Sequence, residues 1–181
     1  MNLLTSNDNA LVVNGGGFGA RFVSICDTHD IPHTDFKIKD TNLSDIAELA
    51  PSENYSALVV NAHETSVGHL YDLDAMGRYA TSNDMLYIVD AISMLVTDPL
   101  DMQQSNIDVV IASAQKGLAL PPGLTMVVLA PKAIDKLQDI KSLYFNFKSY
   151  LSNGERGQMP YTPAVTIMLQ LKARLDQIAE R

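Results

Sequence analysis

Short apolar runs alternate along the chain with stretches in which apolar residues recur at helical spacing. The runs predict strands at residues 10–14, 55–61, 86–90, 107–112 and 125–130, and an alternating pattern predicts another at 33–38. Helical spacing predicts helices at residues 18–28, 43–49, 73–81, 131–141 and 165–181. Continuous apolar strands alternating with helices are typical of an α/β fold, a mostly parallel sheet with helices on both faces.

Composition narrows the class of partner. The chain has 181 residues, 46% of them apolar, and a net charge of −8 without a lysine or arginine cluster. This charge disfavours nucleic acid and anionic membranes as partners. No apolar run approaches the ~20 residues that span a bilayer. The single cysteine, Cys26, excludes an internal disulfide framework and fits a reducing, cytoplasmic setting.

Both ends of the sequence have the pattern of interrupted elements. Residues 1–4 resemble the end of a helix, and the last amphipathic helix runs to Arg181 without a capping signal. Its apolar positions keep helical spacing: Ile167, Met168, Leu171, Leu175 and Ile178. We therefore expect the chain to be part of a longer protein.

Polar residues follow four of the predicted strands. Asn14 precedes a run of three glycines, Asn61 precedes a His-Glu-Thr-Ser turn, Asp90 ends its strand, and Lys116 follows the strand at 107–112. Because the carboxyl ends of parallel strands meet at one edge, where open α/β sheets bind ligands, these residues are expected to converge.

Lys116 is the strongest candidate for chemistry. Burial at a strand end lowers the pKa of a lysine and makes its amine nucleophilic, as Schiff-base formation requires. A surface lysine in a loop is the alternative. Asp90 lies 26 residues earlier, which leaves room for one crossover and one strand. Its carboxylate can pair with a protonated ring nitrogen, or it can simply cap a turn.

The glycine-rich segment from Gly15 to Ala20 formally fits the dinucleotide fingerprint Gly-x-Gly-x-x-Gly/Ala. The acid expected at the end of the second strand would be Asp40, which fits poorly because it follows two lysines. A nicotinamide-dependent oxidoreductase is therefore one alternative. Phe18 suggests another use of the segment, since its ring can stack on a planar cofactor or can be the first core residue of the helix.

The turn that begins at His63 also has two interpretations. His63 and His69 are six residues apart, which does not match the helical spacing of zinc-binding histidine pairs. The hydroxyl of Thr65 or Ser66 can instead bond a ligand oxygen, or it can cap the turn.

Taken together, these motifs resemble class V aminotransferases, pyridoxal-5′-phosphate enzymes of fold type I. The lysine segment Ser-Ala-Gln-Lys-Gly-Leu-Ala-Leu-Pro-Pro-Gly resembles the family's Schiff-base motif, and residues 63–68 resemble its His-x-Glu-Ser/Thr-Ser-x-Gly turn. The resemblance extends from Ala10 to the last helix. It is strongest to the alanine–glyoxylate, serine–pyruvate and 2-aminoethylphosphonate–pyruvate transaminases. In the related cysteine desulfurases the lysine follows a histidine, whereas here it follows Gln115.

The resemblance implies roles for individual residues. Lys116 would carry the cofactor as a Schiff base and move the substrate proton, and Asp90 would pair with the pyridine nitrogen. Phe18 and Ile92 would lie on opposite faces of the ring. The implied polar contacts are those of Thr65 with the cofactor, of Gln115 near its phosphate, and of Thr162 with the phosphate bound by the partner subunit of a homodimer.

The resemblance also implies what the chain lacks. A phosphate-binding Gly/Ser-Gly-Thr loop would precede it, and a C-terminal small domain with a carboxylate-binding arginine would follow. Residues 1–181 would then be the central part of a truncated large domain. The implied reaction transfers an amino group from an amino acid or aminophosphonate to a 2-oxo acid. The alternatives are an inactive fragment or dimerisation module of such an enzyme, and the nicotinamide oxidoreductase.

Overall fold

The computed structural model describes residues 1–38 and 54–180. The predicted helix at 43–49 and Asp40 lie outside these residues. The main feature is a six-stranded sheet in the order β2-β1-β3-β6-β7-β8. Its strands are β1 Ala10–Asn14, β2 His33–Lys37, β3 Ala57–Asn61, β6 Leu86–Asp90, β7 Val109–Ser113 and β8 Thr125–Leu129. A two-stranded hairpin, β4 His63–Glu64 and β5 His69–Leu70, follows β3.

Five of the six strands are parallel, as the apolar runs predict, and β8 pairs antiparallel with β7 at the edge. The central strand β3 is buried at all five positions, four of which are apolar. Such double-sided burial is why β1, β3 and β6 appear in the sequence as continuous apolar runs.

Helices cover both faces of the sheet. The described helices are α1 Gly17–Thr28, α2 Leu73–Ser82, α3 Pro131–Asp135, α4 Phe147–Gly154 and α5 Val165–Ala179. Met76 and Ala80 of α2 pack in the cluster on one face, with Leu58 and Val89. Cys26 of α1 packs in the cluster on the other face. No helix within the described residues is long and apolar enough to cross a membrane.

Two helix predictions near the chain start and after β8 are wrong for one shared reason. Residues 1–4 form no helix, and α3 ends at Asp135 rather than at 141. The backbone N–H of Gln138 donates to the Asn2 carbonyl at 2.8 Å, and the Asn2 side chain bonds the backbone of Phe145 and Phe147. The N-terminal segment therefore binds residues 138–147 and replaces the hydrogen bonds that a longer α3 would make.

The apolar face of α5 is largely open. No α5 residue is buried, Met168 and Leu175 are exposed, and Ile167, Leu171 and Ile178 are only half-buried. The helix contacts the segment after β7, where a Cβ on Gly123 would lie 2.8 Å from Ile167 Cδ1. The amphipathic pattern thus predicts the helix correctly, and much of the apolar face that it marks is open.

Candidate active site at the carboxyl edge of the sheet

The parallel register brings the predicted polar residues to one edge. Asn61 of β3 pairs with Asp90 of β6, and Asp90 pairs with Ile111 of β7. The backbone continues this alignment, since the N–H of Ala62 donates to the Asp90 carbonyl at 2.8 Å. Asp90 therefore lies at the centre of the edge, between the strand that leads to the hairpin and the strand that leads to Lys116.

The Asp90 carboxyl is half-buried and held by its own turn. Its Oδ1 accepts a 2.8 Å hydrogen bond from the backbone N–H of Ile92. Burial raises the pKa of Asp90, while the Ile92 N–H and the positive charge of Lys116 act in the opposite direction. Asp90 and Lys116 are thus close enough to interact electrostatically, and the turn also fixes the backbone at Ile92.

Lys116 is exposed, so the expectation that it is buried is wrong. β7 ends at Ser113, and the chain then turns outward, where the Ala119 N–H donates to the Lys116 carbonyl at 2.8 Å. Within the described residues, Lys116 forms no ion pair shorter than 4.0 Å. Its amine is therefore accessible and not tied to a carboxylate.

The turn at Lys116 packs against the turn after β6. A Cβ at Gly117 would lie 2.3 Å from the Leu95 carbonyl oxygen, so only glycine fits without a backbone shift. Val96 follows Leu95 with φ of 75°, a conformation that is costly for a β-branched residue. Asp98 closes this turn and lies 3.2 Å from His63 Nε2, which links the hairpin to the same packing.

Gln115 is exposed beside the lysine, and its Oε1 accepts a 2.6 Å hydrogen bond from the Ser113 hydroxyl. Thr162 is exposed in the segment before α5. No hydrogen bond joins it to the other candidate residues in the described part of the chain. Its neighbour Tyr161 donates through Oη to the Leu143 carbonyl at 2.6 Å. The structure therefore brings Gln115, but not Thr162, into the turn next to Lys116.

Phe18 and Thr65 lie on the two segments that meet beyond β1 and β3. Phe18 is half-buried in the first turn of α1, with the Arg21 guanidinium carbon 5.8 Å from its ring centroid. Thr65 is exposed at the tip of the hairpin, and its hydroxyl makes no hydrogen bond to another described residue. The Phe18 ring and the Thr65 hydroxyl thus both lie near the carboxyl edge of the sheet.

Glu64 is the site residue that the sequence analysis missed. It is fully buried, and its carboxylate accepts hydrogen bonds from the backbone N–H groups of Phe18 and Gly19. The Ser66 hydroxyl also donates to it in a short hydrogen bond. The one sequence signal for this role is an acid placed in a strand-end turn opposite a glycine-rich helix start.

The hydrogen bonds of Glu64 determine its charge state. Burial acts to raise the pKa of Glu64, but the bonds from Ser66, Gly19 and Phe18 outweigh it and lower the pKa below its usual value. Tyr71 lies beneath the carboxylate, and burial together with the Glu64 charge raises the pKa of this phenol to about 12. The site therefore holds an ionised Glu64 next to a neutral Tyr71.

The same contacts decide between the uses of the glycine-rich segment. A dinucleotide pyrophosphate would need the free N–H groups at the start of α1. Gly17 donates to Ser66 Oγ at 2.8 Å, and Phe18 and Gly19 donate to Glu64. Gly16 also packs closely, because a Cβ there would lie 2.8 Å from Glu64 Cδ. The segment packs against the hairpin, and the three N–H groups that open α1 are already bound by residues 64 and 66 rather than free for a pyrophosphate.

Known proteins resemble the chain over nearly its whole length. The sequence profile of the family "Aminotransferase class-V" matches residues 22–160. An uncharacterized aminotransferase of Methanocaldococcus jannaschii is 30% identical over 99% of this chain and 49% of its own length. The small subunit of a soluble hydrogenase of a Synechococcus species is 28% identical over 98% and 49%.

A solved structure, the subgroup IV aspartate aminotransferase of Thermus thermophilus, superposes with a TM-score of 0.87 at 27% identity. The match covers 97% of this chain and 51% of that one. The chain spans about half the length of the curated relatives it matches. The fold is thus that of about half of a fold type I aminotransferase chain. Because the family profile covers well over half of the residues, the chain belongs to the class-V aminotransferase family.

Proposed function

We propose that this chain binds pyridoxal 5′-phosphate and belongs to an enzyme that transfers an amino group from an amino acid or aminophosphonate to a 2-oxo acid. The observation that carries the proposal is that Asp90 and Lys116 lie at the same edge of the sheet, close enough to interact electrostatically. A half-buried carboxylate ends β6, and an accessible amine on the turn after neighbouring β7 influences its ionisation. A pyridine aldehyde requires a primary amine that reacts with its aldehyde group and an acid that pairs with its ring nitrogen. Both groups are found at this edge.

The residues at this edge fit that cofactor by their chemistry. The Lys116 amine can react with an aldehyde, and the Asp90 carboxylate can hold a proton on a ring nitrogen. Phe18 and Ile92 offer apolar surface for a planar ring, and Thr65 offers a hydroxyl without another described partner. Gln115 lies next to the lysine and Thr162 near α5, where we propose contacts with the phosphate. When bound, pyridoxal phosphate supplies an electron sink for a carbanion at the substrate Cα.

Asp90 and Lys116 then have separate tasks in the reaction. Asp90 would place its charge opposite the ring nitrogen, and the Ile92 N–H bond fixes the direction of its carboxylate. Lys116 would hold the cofactor through Nζ, and its free amine would move the proton at the substrate Cα as a general acid–base. The accessibility of Lys116 serves both tasks, because the amine must reach a cofactor and later release it.

The proposal also covers the domain, the assembly and its location in the cell. We propose that residues 1–181 form the central part of a cofactor-binding large domain, that the assembly is a cytoplasmic homodimer, and that Thr162 acts across its interface. The occupied N–H groups of α1 count against the nicotinamide alternative. An inactive fragment or dimerisation module remains the rival for the chain by itself, and the partly open face of α5 is consistent with it.

A single-turnover assay tests the reaction. The chain is loaded with pyridoxal phosphate, mixed with a panel of amino acids and 2-aminoethylphosphonate, and assayed for the carbonyl product in an amount matching the bound cofactor. Asp90→Ala should retain a reactive lysine but form product at least 100-fold more slowly, and the exposed-surface control Lys141→Ala should match the wild type. Cofactor binding without any product across the panel would contradict amino transfer and favour the inactive fragment.

A further inference from the structure

We propose that Glu64 is a positioning residue of the cofactor site, which fixes the first turn of α1, carrying Phe18, against the hairpin turn that carries Thr65. The inference rests on the proposed function for the roles of Phe18 and Thr65, and it assigns a task to a residue for which that function has no use. The contacts themselves hold whether or not the cofactor is bound.

The hydrogen bonds that Glu64 accepts from α1 join these two segments. Its Oε2 accepts from the Gly19 N–H at 2.9 Å, and both carboxylate oxygens lie 3.2 Å from the Phe18 nitrogen. On the hairpin side, the Ser66 hydroxyl donates to Oε1, and Ser66 Oγ in turn accepts from the Gly17 N–H at 2.8 Å. Three consecutive N–H groups of α1 are thus bound by residues 64 and 66.

A carboxylate suits this position for a physical reason. The first N–H groups of a helix have no partner within the helix, and the helix dipole favours negative charge there. Gly16, the residue before α1, has no side chain, and a Cβ there would overlap Ser66 Oγ at 2.4 Å. The helix therefore has no cap of its own, and a buried acid from 45 positions away supplies it.

The positions of Phe18 and Thr65 follow from this arrangement. Phe18 is the residue whose own N–H is bound by Glu64, so the backbone that carries its ring is fixed to the carboxylate. Thr65 lies between Glu64 and Ser66, both of which are anchored, while its hydroxyl stays exposed. A single charge thus sets the relation of the ring to the hydroxyl.

The network also reaches the Asp90 strand. Asn61, which pairs with Asp90 in register, donates through Nδ2 to Glu64 Oε2 at 3.3 Å and to the His63 carbonyl at 2.8 Å. Its Oδ1 is buried without a hydrogen-bond partner among the described residues. Glu64 therefore connects the glycine-rich segment, the hairpin and the strand end that holds Asp90.

The test compares Glu64→Gln, which keeps the shape but removes the charge, with Asp72→Ala, which removes the carboxylate cap of α2 (Ala75 N–H to Asp72 Oδ1, 2.9 Å). Amide hydrogen exchange at Phe18 and Gly19 is measured without cofactor. The affinity for pyridoxal phosphate and the circular dichroism of its visible band are measured on the loaded chain. Ser66→Ala, which retains the Glu64 charge, is the second variant in case Glu64→Gln does not fold.

Glu64→Gln should accelerate exchange at Phe18 and Gly19 at least tenfold, weaken cofactor affinity about tenfold and reduce the visible dichroism, while borohydride still attaches the cofactor to Lys116. Ser66→Ala should produce smaller changes of the same kind, and Asp72→Ala should lower Tm but leave affinity and dichroism unchanged. Unchanged exchange in Glu64→Gln, or unchanged affinity and dichroism, would overturn the positioning role. A wild-type chain that does not bind the cofactor would instead overturn the proposed function, and with it the functional part of this inference.

Discussion

The carboxylate of Glu64 accepts a 2.9 Å hydrogen bond from the backbone N–H of Gly19, a residue 45 positions away in the chain. This bond joins the hairpin after β3 to the helix after β1, and it is fully buried. The ordering of the candidate site therefore depends on the charge of Glu64, whose partners lie far from it in the sequence. The stability of the chain should therefore depend on the ionisation of Glu64, and hence on pH.

Acid should remove the contribution of Glu64 to stability. Because hydrogen bonds outweigh burial and lower the folded-state pKa of Glu64 below 4.5, its stabilisation is complete above pH about 4.5 and is lost as the pH falls through the folded pKa. Tyr71, the titratable neighbour beneath it, has a pKa of about 12 and does not change charge in this window. Glu64→Gln should cost about 2 kcal/mol at pH 7. Urea unfolding at pH 7, 5 and 4 measures the difference, and a difference that does not shrink toward pH 4 would argue against this origin.

Asp90→Asn should stabilise the cofactor-free chain while weakening cofactor binding. Burial raises the folded-state pKa of Asp90 above 3.8, so its contribution to stability is complete below that pH and is lost as the pH rises through the folded pKa. Asparagine keeps the oxygen that accepts from Ile92 but carries no charge. Tm should therefore rise at pH 7, by an amount that shrinks as the pH approaches 4, and affinity for pyridoxal phosphate should fall at least tenfold. A lower Tm together with unchanged affinity would contradict both parts.

A methyl group at Gly117 should disturb the lysine turn. The new Cβ would lie 2.3 Å from the Leu95 carbonyl oxygen, which cannot move without the backbone. Gly117→Ala should cost about 2 kcal/mol in urea unfolding and slow the reaction of Lys116 with pyridoxal phosphate. The matched control is Gly154→Ala, since that glycine ends α4 with open space around it. The control should be neutral or stabilising by up to about 1 kcal/mol, and equal costs for the two variants would refute the packing argument.

Val96→Gly should relieve strain. Val96 has φ of 75°, a left-handed conformation that costs an L-residue about 1–2 kcal/mol. Glycine adopts it freely but gains freedom in the unfolded chain, so the net stabilisation should be about 1 kcal/mol at most. Val67→Gly, at an exposed turn position without positive φ, should instead destabilise. Thermal melts of both variants test this prediction. A loss of stability in Val96→Gly as large as that in Val67→Gly would show that the backbone at Val96 is not strained.

Features that follow from local sequence patterns were predictable, whereas features that depend on contacts between distant residues were not. β3 and β6 were predictable because burial on both faces produces continuous apolar runs, and Asp90 was placed correctly because it ends such a run. The early end of α3 was not predictable, since it depends on the bond from Gln138 to Asn2. The exposure of Lys116 depends on how far its turn extends beyond β7. Likewise, the partners of Glu64 are brought to it by the fold rather than by sequence proximity.

The most direct test of the central claim is borohydride reduction of the chain after incubation with pyridoxal phosphate, followed by peptide mapping. We expect a visible absorption band that disappears on reduction and a stoichiometric pyridoxyl phosphate label on the peptide containing Lys116. Lys116→Ala should abolish both, whereas Lys141→Ala should change neither. A wild-type chain without the band, or a label spread over exposed lysines and retained in Lys116→Ala, would contradict the assignment of Lys116 as the residue that holds the cofactor.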